Sequence, residues 1–194
     1  VQQGILETRE APSTWLVFQT REPVADGLVE RLRARGDTVV TVVSGDTYTQ
    51  IDDSTFTIAP EAGGVGYSDL IDALAESNRL PDFVLHTWLL TWDQSFRPGS
   101  TFLHRNQEYG FYSLFHLAQA LGKAGVLEKP IQFIVAGSGL LRVADEAAPY
   151  PDKATALGPV AVIPREFPYI RCRFVDVELP LVETKRRKAS PMRD

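Results

Sequence analysis

The feature that most limits how this chain can fold is a repeated alternation of short apolar runs and amphipathic segments. An uninterrupted β-branched run such as 38–43 is typical of a strand buried on both faces, because a half-exposed strand alternates apolar and polar residues. The segment 24–35 instead places its apolar residues at helical spacing, and Gly36 follows as a stop. Strands separated by helices predict a parallel sheet covered by helices on both faces.

The pattern predicts the order β-α-β, hairpin, α-β-α-β-α-β. Strands are expected at 15–18, 38–43, 83–86, 131–136 and 170–177, a small edge hairpin at 48–59, and helices at 24–35, 68–78, 111–123 and 153–163. Ser68 is the expected N-cap of the second helix, and an interruption of the last is expected near Gly158-Pro159. Right-handed crossovers then make the sheet doubly wound. We therefore expect an α/β fold: a truncated Rossmann-like, doubly wound, mostly parallel sheet with helices on both faces.

Length and charge limit the organisation further. The 194 residues fit one domain, which we expect at 13–180, with a linker at 1–12 and a basic linker or tail at 181–194. A net charge of -5 argues against general nucleic-acid binding. The single cysteine, Cys172, lies in an expected strand and favours a reduced, cytoplasmic setting. There is no apolar run of membrane-spanning length and no signal-peptide pattern, so we expect no membrane partner.

The turn after the first strand is where a Rossmann-type fold holds the pyrophosphate of a dinucleotide, and it needs glycines for close backbone approach. Here the turn covers 19–27 and its one glycine, Gly27, comes too late. The carboxylates of Glu22 and Asp26 would repel a pyrophosphate. The sequence therefore predicts no cofactor-binding residue and no cofactor bound by this chain.

Three residues imitate the catalytic set of a short-chain dehydrogenase, which is a serine after a late strand and then a tyrosine with a lysine four residues on. Ser138 and Tyr150 are suitably placed, but Lys153 follows the tyrosine by three residues and Pro151 intervenes. An activating lysine must lower the pKa of the tyrosine from the same helix face and also hold the cofactor ribose. We interpret the three residues as part of a structural loop.

Other candidate centres also fail on spacing. The run Gly137-Ser138-Gly139 does not fit a nucleophile elbow, which needs glycines two residues on either side of the serine. His86, His104 and His116 are scattered and have no cysteine partners, so no metal site is predicted. His86 and His116 favour packing and hydrogen-bonding roles. We predict no catalytic and no metal-binding residue in this chain.

The stretch between the strand at 83 and the helix at 111 is unusually aromatic. Its aromatic residues, taken with those at its borders, are Trp88, Trp92, Phe96, Phe102, Tyr109, Phe111 and Tyr112. Such a loop either covers the sheet edge or docks a neighbour, including a second copy of the chain.

Over roughly residues 13–177 the chain resembles the ketoreductase region of modular polyketide synthases. The resemblance is carried by Trp15-Leu16-Val17-Phe18 with its degenerate turn, by Leu85-His86-Thr87-Trp88, by the helix at 111–121, and by 154–168 leading into Arg171-Cys172-Arg173-Phe174-Val175-Asp176. Each motif is weak alone, whereas their order and spacing together are strong.

In that family the region is two tandem Rossmann-like halves, of which the first is structural and the second binds NADPH and reduces a β-keto group on an acyl carrier protein. This chain looks like the first half, or like a pseudo-ketoreductase. The resemblance implies a non-catalytic domain that supports a catalytic ketoreductase half or neighbouring domains. Its parent would be a multidomain synthase with an acyltransferase and carrier proteins. The alternative is an NADPH-dependent β-ketoacyl reductase that acts alone through Ser138 and Tyr150.

Overall fold

A computed structural model of the chain describes residues 11–20, 22–91, 100–125, 129–141 and 150–179. The sheet formed by these residues has seven strands: β1 (Thr14–Phe18), β2 (Thr38–Ser44), β3 (Thr49–Asp52), β4 (Thr55–Ile58), β5 (Phe83–Leu89), β6 (Ile131–Gly137) and β7 (Ile170–Asp176). They lie in the order β3-β4-β2-β1-β5-β6-β7. All neighbours pair in parallel except β3 and β4, which are antiparallel. The order reverses between β1 and β5, which confirms the doubly wound prediction.

Helices cover the two faces of the sheet unequally. The described α-helices are α1 (Pro23–Ala34), α2 (Val65–Glu76), α3 (Ser100–Asn106), α4 (Ser113–Lys123) and α5 (Leu157–Glu166). Val29 of α1 packs with Trp15 and Val17 on one face. Buried residues of α2, α4 and α5 form the larger core on the other face. The fold is therefore Rossmann-like, with one face covered more thinly than the other.

One side of β7 faces solvent. Gln132, Arg171, Arg173 and Val175 are exposed, whereas the alternate residues of both strands point into the larger core. On the other face of β6, Ile134 packs against the cluster of Trp15 and Val17, and Ala136 is buried. The prediction of a buried strand at 131–136 is thus confirmed except at Gln132.

The predicted hairpin is present, but it is more than an edge elaboration. β4 pairs with β2 in parallel, so it is a full member of the main sheet, and β3 forms the edge beside it. The chain thus passes from β2 to β4 through a strand, where the usual crossover would be a helix.

The start of α2 differs from the prediction. The helix begins at Val65, and Ser68 lies inside it with its hydroxyl donating to the Gly64 carbonyl at 3.4 Å. Ser68 is therefore not the N-cap, and no acidic side chain occupies the first turn. The turn before the helix uses Gly63, whose φ of 79° favours glycine, and this conformation starts the helix one turn early.

The aromatic stretch is helical from Ser100 onward, which corrects the prediction of a loop up to 111. α3 continues through a π-helical segment (Gln107–Tyr112) into α4. Gly110 suggests a helix breaker in the sequence, but in the fold it permits a close contact: a Cβ there would lie 2.9 Å from Leu89 Cδ1. Trp88 belongs to β5, and Trp92 and Phe96 lie outside the described residues.

The segment before β7 is continuous rather than interrupted at Gly158-Pro159. A 3-10 turn (Pro151–Ala156) runs directly into α5. Pro159 lies in the first turn of α5, where a missing N–H costs no helical hydrogen bond. The expected linker at 1–12 and tail at 181–194 lie almost wholly outside the described residues.

Candidate functional site

The carboxyl ends of β1 and β5 mark the point where a doubly wound sheet opens a crevice for a ligand. Here the crevice is bridged by Thr87, a fully buried residue of β5. Its hydroxyl donates to the Phe18 carbonyl at 2.8 Å and accepts from the Thr20 backbone N–H at 3.2 Å. One side chain thus ties β5 to the chain that leaves β1.

The described residues of the turn from β1 into α1 show no feature of a pyrophosphate loop. Asp26 lies in the first turn of α1, and its carboxylate accepts a hydrogen bond from the Gln19 side chain. A Cβ added at Gly27 would meet nothing within 4 Å among the described residues, so this glycine serves no close approach. A carboxylate therefore lies in the helix turn whose backbone N–H groups would bind a pyrophosphate.

An aromatic cluster fills the other side of the same strand ends. The His86 ring stacks on Phe18 at 5.0 Å and meets the edge of Trp88 at 5.4 Å. His86 Nε2 shares a hydrogen bond of 2.8 Å with the hydroxyl of Ser113, the first residue of α4. Burial lowers the pKa of His86 to about 3. The histidine is a neutral core residue, in line with its predicted packing and hydrogen-bonding role.

The structure brings Ser138, Tyr150 and Lys153 together at the carboxyl end of β6. Lys153 Nζ donates to the Ser138 hydroxyl at 3.1 Å and lies 4.6 Å from the centre of the Tyr150 ring. The sequence analysis expects the lysine four residues after the tyrosine, because residues four apart share a face of an α-helix. Lys153 lies in a 3-10 turn, where residues three apart are eclipsed, so it returns over Tyr150.

The lysine in this trio is already saturated with acceptors. Nζ also donates to the carbonyls of Leu89 and Ser138, each at 3.0 Å, and to the Thr91 hydroxyl at 2.8 Å. The side chain is fully buried, and burial lowers its pKa to about 8, although the charge of Asp176 opposes that shift. The arrangement is a buried polar cluster, and its serine hydroxyl also donates to the Thr91 carbonyl at 3.0 Å.

In the part of the chain that the structure describes, the side chains form neither a metal site nor a reactive thiol. No group of three or more His, Cys, Asp and Glu side chains there could hold a metal ion. His104 is exposed on α3, and His116 is half-buried on α4, where burial and Lys123 lower its pKa. Burial raises the pKa of the Cys172 thiol to about 12, so it stays protonated.

A groove of about 290 Å³ lies between the start of α2 and the outer face of α4. Its lining residues are Gly64, Val65, Ser68, His116, Gln119, Ala120 and Lys123. Next to it, Tyr112 and Phe115 expose 44% and 42% of their surface, and their rings stack on those of His116 and Phe111. The end of the π-helical segment and the start of α4 thus present two exposed aromatic rings beside the groove.

Comparison with known families shows to which family the chain belongs. The model of the family described as β-ketoacyl synthase-like, N-terminal matches residues 13–189. The chain belongs to this family. No curated protein sequence matches it.

Solved structures share the fold of this family member. A multidomain structure of a keto acid-selecting NRPS module, with adenylation, ketoreductase and pseudo-Asub parts, aligns over 93% of this chain with 20% identity and a TM-score of 0.76. An N-terminal ketoreductase from the macrolactin assembly line aligns over 87% with 16% identity and a TM-score of 0.67. A Serratia marcescens short-chain dehydrogenase/reductase aligns over 84% with 16% identity and a TM-score of 0.58.

At these identities the structural likeness establishes the fold, and it confirms the Rossmann-like prediction and the resemblance to ketoreductase regions. The alignment covers 14% of the NRPS module chain and 32% of the macrolactin ketoreductase chain, but 77% of the Serratia enzyme. This family member thus spans less than a third of the length of the first two chains it aligns with. None of its described helices is long and apolar enough to cross a membrane.

Proposed function

We propose that this chain is the non-catalytic structural half of a ketoreductase region in a modular polyketide synthase or related multidomain synthase. The observation that carries the proposal is the Thr87 bridge, which ties β5 to Phe18 and Thr20 at the strand ends where a doubly wound sheet opens a crevice for a ligand. The carboxylate of Asp26 in the adjacent first turn supports it, because a pyrophosphate would be repelled there. The domain has the Rossmann-like fold, whereas its catalytic partner binds NADPH and carries out the reduction.

The surfaces of the domain support a role beside other domains. The exposed side of β7 carries Arg171, Arg173 and Val175. The apolar face of α4 with Tyr112 and Phe115 offers a second contact. The partners we propose are a catalytic ketoreductase half or adjacent synthase domains, with an acyl carrier protein delivering substrate to the whole enzyme. A monomeric mass in light scattering would exclude the alternative that the aromatic segment joins two copies of the chain.

The test is nucleotide binding by the whole chain. Isothermal titration with NADPH should show no saturable binding, and incubation with NADPH and a β-ketoacyl thioester should show no oxidation of the cofactor. A longer polypeptide that includes the following segment of the parent reading frame should show both. Micromolar binding of NADPH to the chain alone would refute the proposal.

A second candidate is a reductase that acts alone, and the juxtaposition of Ser138, Tyr150 and Lys153 favours it. In that case the chain would turn over a β-ketoacyl thioester, and Tyr150→Phe would abolish turnover because the phenol would be the proton donor. The four acceptors around Lys153 argue against this candidate, because a lysine that must hold a ribose needs free N–H groups. Turnover that survived Tyr150→Phe would exclude it.

A further inference from the structure

The ammonium of Lys153 lies in a cage made by the chain itself. Four oxygens lie within 3.1 Å of Nζ and share its three N–H groups: the carbonyls of Leu89 and Ser138 and the hydroxyls of Thr91 and Ser138. The Tyr150 ring closes the cage at 4.6 Å, a distance at which a cation is attracted to an aromatic face. The side chain has no solvent exposure. An oxygen cage with one aromatic wall has the chemistry that recognises a small organic cation.

The cage joins three separate parts of the fold. Leu89 and Thr91 stand at the carboxyl end of β5, Ser138 follows β6, and Lys153 belongs to the 3-10 turn before α5. Backbone hydrogen bonds run along the same junction, from Ser138 N–H to the Leu89 carbonyl at 3.2 Å and from Tyr150 N–H to the Gly139 carbonyl at 3.0 Å. The ammonium therefore sits where the ends of two strands and the next helical segment meet.

We propose that Lys153 is a tethered cation that holds the carboxyl ends of β5 and β6 against the turn leading to α5. We further propose that the same cage binds a free primary ammonium when the lysine side chain is removed. Without a cation, the carbonyls of Leu89 and Ser138 would each lose a buried hydrogen-bond donor, and such a loss is costly.

The charge of the lysine is held by dipoles rather than by an ion pair. Asp176 is the acidic group whose charge acts on Lys153, and it favours the protonated form. Its Oδ2 accepts from the backbone N–H groups of Leu140 at 3.1 Å and Leu141 at 2.7 Å, so that oxygen supports the chain after β6. The cage oxygens are consequently neutral, which suits a monovalent organic cation better than a divalent metal.

The test is chemical rescue of the Lys153→Ala variant. The part of the side chain removed beyond Cβ corresponds to n-propylammonium. We expect Lys153→Ala to lower the folding equilibrium constant about 30-fold in urea titrations followed by circular dichroism, since a charged donor with several buried acceptors is lost. Added n-propylammonium should raise that constant in proportion to 1 + [L]/Kd, as for any ligand that binds only the folded state.

Neutral and surface controls separate the cage from general effects. 1-Propanol has the same shape without the charge and should rescue much less. The wild-type chain and Lys123→Ala, which changes an exposed lysine of α4, should not respond to n-propylammonium beyond its effect as a salt. Equal rescue by the alcohol and the ammonium, or a Lys153→Met variant as stable as the wild type, would overturn the proposal.

If Lys153→Ala does not fold in buffer, folding that is restored by n-propylammonium becomes the supporting result. A cycle of Ser138→Ala and Lys153→Met gives a second measurement, because removing one cage oxygen should cost about tenfold in the folding constant with Lys153 present and much less with methionine. Additive effects of the two substitutions on the folding free energy would contradict the cage. The readout is stability, whereas the proposed function is tested by NADPH binding, so the two can fail separately.

Discussion

Acid should destabilise this protein through His86 at pH values where an exposed histidine would have little effect. The folded chain holds the pKa of His86 at about 3 by burial, against 6.5 in the absence of the fold. The unfolded chain therefore takes up a proton first as the pH falls, and the stabilisation present above pH 6.5 is lost progressively down to about pH 3. Between pH 8 and pH 5 these two pKa values lower the free energy of unfolding by about 2 kcal/mol.

The assay compares urea unfolding at pH 8 and pH 5 for the wild type, His86→Gln and His104→Gln. Glutamine at position 86 can still share a hydrogen bond with Ser113 but cannot be protonated. Between pH 8 and pH 5 the His86→Gln variant should therefore lose about 2 kcal/mol less free energy of unfolding than the wild type. His104 is exposed, and its variant should follow the wild type. Carboxylate titration affects all three proteins alike and cancels in the difference. Equal losses in the wild type and His86→Gln would refute the reasoning.

Two substitutions test the packing that the structure assigns to single positions. Thr87→Val should cost about 2 kcal/mol, because one buried and one partly buried backbone group lose their partner. Thr57→Val removes a hydroxyl whose hydrogen bond to the Thr47 carbonyl is exposed, and it should cost less than about 1 kcal/mol in the same urea titrations. Gly122→Ala would place a Cβ 2.5 Å from Phe167 Cε1 and should cost about 1–3 kcal/mol, while Gly27→Ala, which meets nothing within 4 Å among the described residues of α1, should stabilise by about 0.5–1 kcal/mol. A stabilising Gly122→Ala would contradict the contact with Phe167.

Much of the fold could be predicted from the sequence, because continuous apolar runs identify buried strands whatever the individual residues are. β2 and β5 are continuous apolar or β-branched segments, and burial on both faces requires such composition. Errors occur where a residue's usual role is overridden by a neighbour. Position 110 falls just before the predicted helix at 111–123, yet the lack of a side chain at Gly110 lets the π-helical segment approach Leu89. Ser68 is a common N-cap residue, but the positive φ of Gly63 starts α2 one turn earlier.

The candidate site was less predictable, because its geometry depends on the type of helix. The residue types at Ser138, Tyr150 and Lys153 are readable from the sequence, and so is the spacing of three. Whether that spacing brings the lysine over the tyrosine depends on a 3-10 turn, and the only local signal was Pro151 at its start. The bridge by Thr87 left no sequence signal, because a threonine in a buried strand is ordinary.

Thr87 and Lys153 act at neighbouring places, at the two sides of the carboxyl end of β5. Each uses its polar atoms on backbone groups of the chain: Thr87 on Phe18 and Thr20, and Lys153 on Leu89 and Ser138. Restoring glycines to the turn after β1 would consequently leave both closures in place. A nucleotide site in this fold requires an open crevice as well as a permissive loop, and a chain that closes the crevice with its own side chains gains stability there instead. The missing glycines and the internal hydrogen bonds are therefore two independent arguments for our proposal that a partner domain carries out the reduction.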